Sequence, residues 1–141
     1  MTWWVDDVEM MELDRRAESR KPPDLGTWND QMHHVHFFQE LVSNSDFNQG
    51  NLLITKDWRV WLVDFTRAFR GYRKLQNPER LRRIDRRVFD ALQDLDEATL
   101  RAEMGGLLDK YQIRGLLARR DLIVLAFEAR IEERGVEAVL R

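Results

Sequence analysis

The sequence predicts one mainly α-helical domain that carries a single small β-hairpin. Its 141 residues lie within the usual size of one domain, about 100–150 residues. Hydrophobic residues make up 43% of the chain, and five Trp and seven Phe supply large apolar surfaces for a core. Most apolar residues recur at helical spacing, and only residues 51–55 and 59–65 alternate as strands do. With no internal repeat or low-complexity linker, we expect a single domain over residues 1–141.

Residues 1–45 are predicted to form two helices. Apolar side chains in residues 2–18 follow an approximate helical spacing. Pro22 and Pro23 then end this helix, because proline disfavours helical geometry in the residue before it. A second helix is expected from about Thr27 to Ser43. Its predicted apolar face consists of Trp28, Gln31, Val35, Phe38, Leu41 and Val42.

Residues 77–141 are also predicted to be helical. Asn77 is a suitable N-cap and Pro78 suits the first helical position, so a helix is expected to run from there to about residue 95. A shorter helix follows, and then a long one over about residues 111–134. Gly135 is a natural C-terminal stop for that last helix.

Between these helical regions, residues 46–70 contain three oxygen-bearing side chains whose spacing is informative. Asp46 and Asn51 are five residues apart, and Asp64 comes thirteen residues after Asn51. A hairpin over residues 51–65 would fold Asp64 back beside Asn51. Phosphoryl transfer needs a carboxylate at the attacking hydroxyl and oxygen ligands that hold Mg²⁺ against the phosphates. A loop followed by such a hairpin can bring three groups of these kinds together.

The second strand of this hairpin places Asp64 on the same face as Val60 and Leu62. A carboxylate on an aliphatic face is costly unless something binds it. A metal ion would do so. The alternative is an ion pair with Arg67 or Arg70, which are close in sequence.

The pattern of Asp46, Asn51 and the Val63-Asp64-Phe65 triplet resembles the protein-kinase-like superfamily. The residues of this motif are most similar to those of the phosphatidylinositol-kinase and aminoglycoside-phosphotransferase branches. The resemblance is strongest over residues 28–70. It implies the C-terminal lobe of a kinase-like fold, without the N-terminal lobe that normally covers the nucleotide. It also implies Mg²⁺ and ATP as cofactors, with Asp46 as the catalytic carboxylate and Asn51 and Asp64 as metal ligands.

Three further residues are assigned to the same site by their positions. Asn48 and Gly50 are expected to contact the nucleotide, since glycine allows a ligand to approach the backbone closely. Arg67 is expected to offset the charge that develops on the transferred phosphoryl group. Departures from the family pattern, such as Asn44 in place of histidine and Thr66 in place of glycine, indicate a divergent site.

A non-catalytic interaction module derived from a kinase-like lobe is the alternative. In that case Asp46, Asn51 and Asp64 would only shape the loop, and the chain would bind a protein partner or self-associate. Trp3 and Trp4 cannot both face the core of one helix, because neighbouring residues on a helix do not share a face. An exposed tryptophan there would form the partner surface.

Charge is unevenly distributed along the chain. Residues 67–87 contain nine basic and two acidic side chains, whereas residues 1–66 contain twelve acidic and six basic ones. This Arg-rich segment is expected either to dock onto acidic faces of the fold or to bind phosphates and other anions. The net charge of −2 makes nucleic acid the weakest of the candidate partners.

Composition excludes several other classes of site. The chain has no cysteine, so disulfides and thiol catalysis are excluded. His33 and His36 are one helical turn apart but lack an obvious third metal ligand, and they are expected on a partly exposed helix surface. We expect a cytoplasmic protein, because there is no secretion signal and the longest apolar run, residues 122–127, is too short to cross a membrane.

Overall fold

A computed structural model describes residues 5–46 and 48–141. Over these residues the chain is mainly helical around a small antiparallel sheet, so the predicted fold class is confirmed at this coarse level. The strands are β1 (Val8–Met11), β2 (Leu52–Thr55) and β3 (Val60–Leu62). The helices are α1 (Glu12–Ala17), α2 (Leu25–Val42), α3 (Arg86–Asp94), α4 (Glu97–Met104), α5 (Lys110–Arg134) and α6 (Val136–Val139).

The prediction of one helix over residues 2–18 is wrong, because a strand precedes a short helix there. β1 pairs antiparallel with β2, with Met10 opposite Ile54 and Met11 opposite Leu53. Met10 and Ile54 are buried together with Trp28 in one apolar cluster. This non-local pairing outweighs the helical spacing of the sequence. Trp3 and Trp4, the predicted partner surface, lie outside the described residues.

The predicted hairpin is present and is attached to α2. β2 pairs antiparallel with β3 in the register that sets Leu53 opposite Trp61. Gln31 of α2 donates from Nε2 to the carbonyl of Trp58 over 3.0 Å. Its Oε1 accepts a hydrogen bond from the backbone N–H of Val60 over 2.9 Å. The hairpin turn is therefore fixed to the helix that leads into the candidate loop.

The main core lies where α5 crosses α2 and α3. Phe89 of α3 and Phe127 of α5 form an edge-to-face pair with ring centroids 6.0 Å apart. From α2 it is Phe37 that joins this core, and not Phe38 as predicted. Phe38 is 40% exposed and instead contacts Phe65 edge to face at 5.7 Å.

The predicted helix over residues 78–95 is interrupted. Only a 3-10 turn, Pro78–Arg80, forms before the chain extends, and α3 begins after Asp85. The Asp85 carboxylate caps α3 by accepting hydrogen bonds from the backbone N–H groups of Arg87 and Val88. Between these elements Ile84 forms a parallel β-bridge with Leu140. Burial of both side chains stabilises the extended segment over a continuous helix.

A buried arginine of α5 connects three parts of the backbone. Arg119 has no exposed surface and donates to the carbonyl of Leu41 over 2.9 Å. Its Nη1 donates to the carbonyl of Arg70 over 3.0 Å and also to that of Tyr72. The end of α2 and residues 70–72 are thereby held against α5. Arg119 lies one helical turn after Gly115.

Replacing Gly115 with alanine is expected to lower the free energy of unfolding by about 1–2 kcal/mol. An added Cβ would lie 2.9 Å from the carbonyl carbon and oxygen of Gly71, and overpacking typically costs about 1–3 kcal/mol. The higher helix propensity of alanine offsets about 1 kcal/mol or less of this destabilisation. Urea unfolding followed by circular dichroism measures the change.

Gly106→Ala is the matched control for this variant. Nothing lies within 4 Å of a Cβ built at Gly106, so its stability should stay within about 0.5 kcal/mol of the parent. Equal stabilities of the two variants would show that α5 and residues 70–72 are not packed as closely as described.

Candidate functional site

The candidate loop begins where α2 ends. Ser43 adopts a left-handed conformation with φ of 50°, and its N–H bonds back to the carbonyl of Glu40. Asn44 is buried, and its Oδ1 accepts a hydrogen bond from the backbone N–H of Asp46 over 3.2 Å. The backbone at Asp46 is thus fixed by a buried amide, and the Asp46 side chain is partly exposed.

Residues 48–51 form a tight 3-10 turn that leads into β2. Asn48 Oδ1 accepts a hydrogen bond from the N–H of Gly50 over 2.8 Å. The backbone carbonyl of Asn48 accepts a second hydrogen bond from the N–H of Asn51 over 2.9 Å. A Cβ at Gly50 would lie 3.3 Å from Asn48 Oδ1. The group that closely approaches Gly50 is therefore the side-chain amide of Asn48. Contact of Asn48 and Gly50 with a nucleotide stays a prediction.

Asn51 and Asp64 lie across the open end of the hairpin from each other. The carbonyl of Asn51 accepts a hydrogen bond from the N–H of Val63 over 2.9 Å, and Asp64 is the next residue. This extends the β2–β3 pairing by one step beyond Leu62. The prediction that the hairpin returns Asp64 to the neighbourhood of Asn51 is supported by this backbone pairing.

The expectation that Asp64 lies on an aliphatic strand face is wrong. β3 ends at Leu62, and Asp64 turns into the left-handed region with φ of 61° and an exposed side chain. Its Oδ1 accepts hydrogen bonds from the Thr66 hydroxyl over 2.7 Å and from the Thr66 N–H over 3.2 Å. These bonds, with a smaller effect from the charge of Arg67, hold the pKa of Asp64 below its usual value.

Arg67 interacts with both candidate carboxylates. Its Nε lies 3.8 Å from Oδ2 of Asp46, and its charge also lowers the pKa of Asp64. The Arg67 carbonyl accepts from the N–H of Ser45 over 3.5 Å, which ties the two loops together. Arg67 is thus paired with Asp46 and acts on Asp64 through its charge alone, since no ion pair between Arg67 and Asp64 is formed.

Backbone strain occurs in this cluster of charged residues and beside it. Three of the six non-glycine residues with positive φ in the described part of the chain are found there, namely Ser43 at 50°, Asp64 at 61° and Phe69 at 57°, and the other three lie elsewhere. A bulky residue such as phenylalanine in this region is a genuine outlier. The N–H of Phe69 bonds the carbonyl of Val42 over 2.6 Å, so the conformation is held by the end of α2. Such strain is typical of functional sites, where surrounding structure fixes it.

The cluster offers few side chains that could coordinate a metal ion. The described residues contain no group of three or more His, Asp or Glu side chains that could hold a metal ion. The Asp64 carboxylate and the Asn51 amide, the two predicted metal ligands, are of the kind that Mg²⁺ binds, because this ion uses one or two carboxylates and takes its other ligands from water and substrate phosphates.

Sequence reasoning missed the supporting roles of Asn44 and Thr66. Both use side-chain hydrogen bonds to residues two positions away, the usual pattern of Asx and Ser/Thr turns. The signal in the sequence was Asn44-x-Asp46 and Asp64-x-Thr66, which predicts the turns themselves. Thr66 donates its hydroxyl to Asp64 and thereby lowers the pKa of that carboxylate.

Comparison with known proteins returns no assignment: the chain matches no protein-family model and no curated protein sequence. Within residues 5–46 and 48–141, none of the helices combines the length and the apolar character needed to traverse a bilayer.

Proposed function

We propose that this chain is the catalytic region of a kinase-like phosphotransferase, which transfers phosphate from Mg²⁺-bound ATP to a hydroxyl acceptor. The observation that carries this proposal is the convergence of two loops at the open end of the hairpin. One loop contributes Asp46 and Asn51, the other contributes Asp64, and Arg67 pairs with Asp46 while its charge also acts on Asp64.

In the proposed reaction each side chain has one role. The acceptor hydroxyl attacks the γ-phosphorus, its proton passes to Asp46, and the bond to the bridging oxygen breaks as ADP leaves. Asp64 and Asn51 would hold Mg²⁺ on the phosphates, which neutralises the developing charge. Arg67 would turn from Asp46 towards the transferred phosphoryl group as negative charge develops there.

The pKa of Asp64 supports its proposed role as a metal ligand. Metal binding requires a deprotonated carboxylate, and the Thr66 hydroxyl holds the pKa of Asp64 below its usual value. Asp64 is therefore ionised throughout the neutral pH range. The exposed position of its side chain also leaves room for phosphate oxygens and water in the coordination shell.

The interaction module remains a second candidate, favoured by a different observation. Asn44, Asn48 and Thr66 satisfy the polar groups of both loops within the protein, so the turns need no ligand to form. In this case the loops would keep their shape, and Mg²⁺ and ATP would not bind.

NMR of the ¹⁵N-labelled protein distinguishes the two proposals. Titration with ATP in the presence of Mg²⁺ is expected to shift the amide signals of residues 44–51 and 63–67, and omission of Mg²⁺ should abolish most of the effect. Asp46→Ala should keep this binding, because Asp46 acts on the acceptor, and should lose ATP turnover by at least about 100-fold.

Two results would contradict the phosphotransferase proposal. The first is an unchanged spectrum at millimolar Mg²⁺ and ATP, which would favour the interaction module. The second is turnover in Asp46→Ala equal to that of the parent protein, which would remove Asp46 from the mechanism.

A further inference from the structure

One side of α5 carries apolar side chains at the protein surface. Ala118, Leu122, Leu125 and Ala129 follow one another at intervals of four, three and four residues, which places them along one face of a helix. Leu122 is 38% exposed and Leu125 59% exposed. Ala129 is also exposed, and Ala118 is half-buried. Since α5 also contributes to the main core, it has two apolar faces, and one of them meets solvent.

The charges at the ends of α5 are arranged against the helix dipole. The first turn contains Lys110 and no acidic residue, and the last turn contains Glu132 and Glu133 beside Arg134. A helix dipole favours acidic residues near the N-terminus and basic residues near the C-terminus. The stability of α5 itself therefore does not account for this arrangement.

Arg114 and Glu132 mark the two ends of the exposed apolar face. They are eighteen residues apart, which is five full turns, so both side chains leave the helix in the same direction. Each lies about 14 Å along the axis from residue 123, and the apolar stripe from Ala118 to Ala129 is centred at almost the same point. Both charged side chains are exposed, and within the described parts of the chain neither forms a hydrogen bond or an ion pair.

We propose that this face of α5 binds a second copy of the chain, with the two α5 helices antiparallel about a two-fold axis near residue 123. Leu122 of one copy would pack against Leu125 of the other, and Arg114 of each copy would lie opposite Glu132 of the other. A two-fold interface must be complementary to itself, and this face meets that condition in both its apolar stripe and its charges. A parallel pair would instead bring like charges together.

The size of the face determines the strength of the expected dimer. Arg114 and Glu132 are about 27 Å apart along the axis, and the face is one helix wide. Permanent interfaces are larger, so we expect a weak, reversible dimer with a dissociation constant on the order of 10⁻⁵ to 10⁻⁴ M. This inference is independent of the proposed phosphotransferase activity.

The test is sedimentation velocity of the full chain over a concentration series from about 5 to 500 µM, which spans the expected dissociation constant. Leu125→Glu should raise that constant by at least about 100-fold, because the two-fold axis makes each substitution act twice. Leu25→Glu is the matched control, since Leu25 is a leucine of comparable exposure, 63%, on α2. It should leave the dissociation constant unchanged.

A charge exchange tests the antiparallel arrangement. Arg114→Glu and Glu132→Arg should each weaken the dimer by about tenfold, because each places like charges at both ends of the interface. The double variant should recover the affinity of the parent to within about threefold, since it restores both pairs. Net charge alone would make the two single variants act in opposite directions.

Four results would overturn the proposal. They are a monomer throughout the series, a dimer that Leu125→Glu leaves intact, equal losses in Leu125→Glu and Leu25→Glu, and a double variant no tighter than the single ones. Nucleotide and Mg²⁺ are absent from the experiment, so each of these results leaves the phosphotransferase proposal unaffected.

Discussion

Replacing Arg119 with methionine is expected to lower the free energy of unfolding by about 3–5 kcal/mol. The variant leaves the carbonyls of Leu41, Arg70 and Tyr72 without the donors that Arg119 supplies. A buried polar group without its partner costs about 1–3 kcal/mol. The three losses act together, and removal of the buried charge of Arg119 offsets part of them. Methionine has a similar length, so the effect measures lost hydrogen bonds more than lost volume. Urea unfolding monitored by circular dichroism provides the measurement.

The position of these bonds gives the variant a second effect. Burial lowers the pKa of Arg119 to about 10, so it still carries its charge at neutral pH. Its loss should loosen residues 70–72 and, through them, the segment that contains Arg67. Hydrogen exchange of the amides in residues 67–72 is expected to accelerate in Arg119→Met.

Two further variants define the role of Arg119. Arg114→Met changes an exposed arginine of the same helix and should leave stability within about 0.5 kcal/mol of the parent. Arg119→Lys keeps the charge but offers a single nitrogen, and should recover only part of the loss. If Arg119→Met were as stable as Arg114→Met, the buried hydrogen bonds would have no structural importance.

The second large effect is expected from Asp64→Asn. If Asp64 is a ligand of Mg²⁺, this variant should weaken Mg²⁺-dependent ATP binding by at least about 100-fold, because it removes the negative charge at the metal while keeping the side-chain shape. Isothermal titration calorimetry with ATP, in the presence and absence of Mg²⁺, gives the affinities. ATP turnover should fall together with binding.

Asp57→Asn is a closely matched control. Asp57 also accepts a hydrogen bond from a threonine hydroxyl two residues away, that of Thr55, and its pKa is likewise lowered, chiefly by that bond. It lies in the hairpin turn, at the end opposite Asp64. Equal loss of ATP binding in both variants would point to general electrostatics and against Asp64 as a metal ligand.

Elements with strong local signals could be predicted from the sequence. α2 begins after Asp24, whose carboxylate accepts from the N–H groups of Gly26 and Thr27, and it ends close to the predicted residue. α5 was predicted with the right extent, because Gly135, in the left-handed region with φ of 87°, stops it. Such caps and stops act within a few residues of the chain.

Elements that depend on distant partners could not be predicted. β1 exists because residues 8–11 pair with residues 53–55, more than forty positions later. The break before α3 exists because Ile84 pairs with Leu140. In both cases local spacing favoured a helix, and tertiary contacts decided otherwise.

The candidate site shows the same division between local and distant effects. The turns at Asn48 and Asp64 follow from residues two positions apart, and such turns can be predicted from sequence. The pairing of Arg67 with Asp46 joins loops 21 residues apart, and it was only one of several ion pairs that the sequence allowed. The left-handed conformation of Asp64 was not predictable, because its strand was expected to continue to Phe65.

The bridge between Ile84 and Leu140 has a consequence for biosynthesis. Arg141 also forms a two-oxygen ion pair with Asp30 at 2.8 and 2.9 Å, so α2 receives one of its surface partners 111 residues after it has been translated. This part of the fold can therefore be completed only after residues 140 and 141 have been synthesised. We expect the segment around Ile84 to acquire its final structure late during synthesis, after the helices α2 to α5.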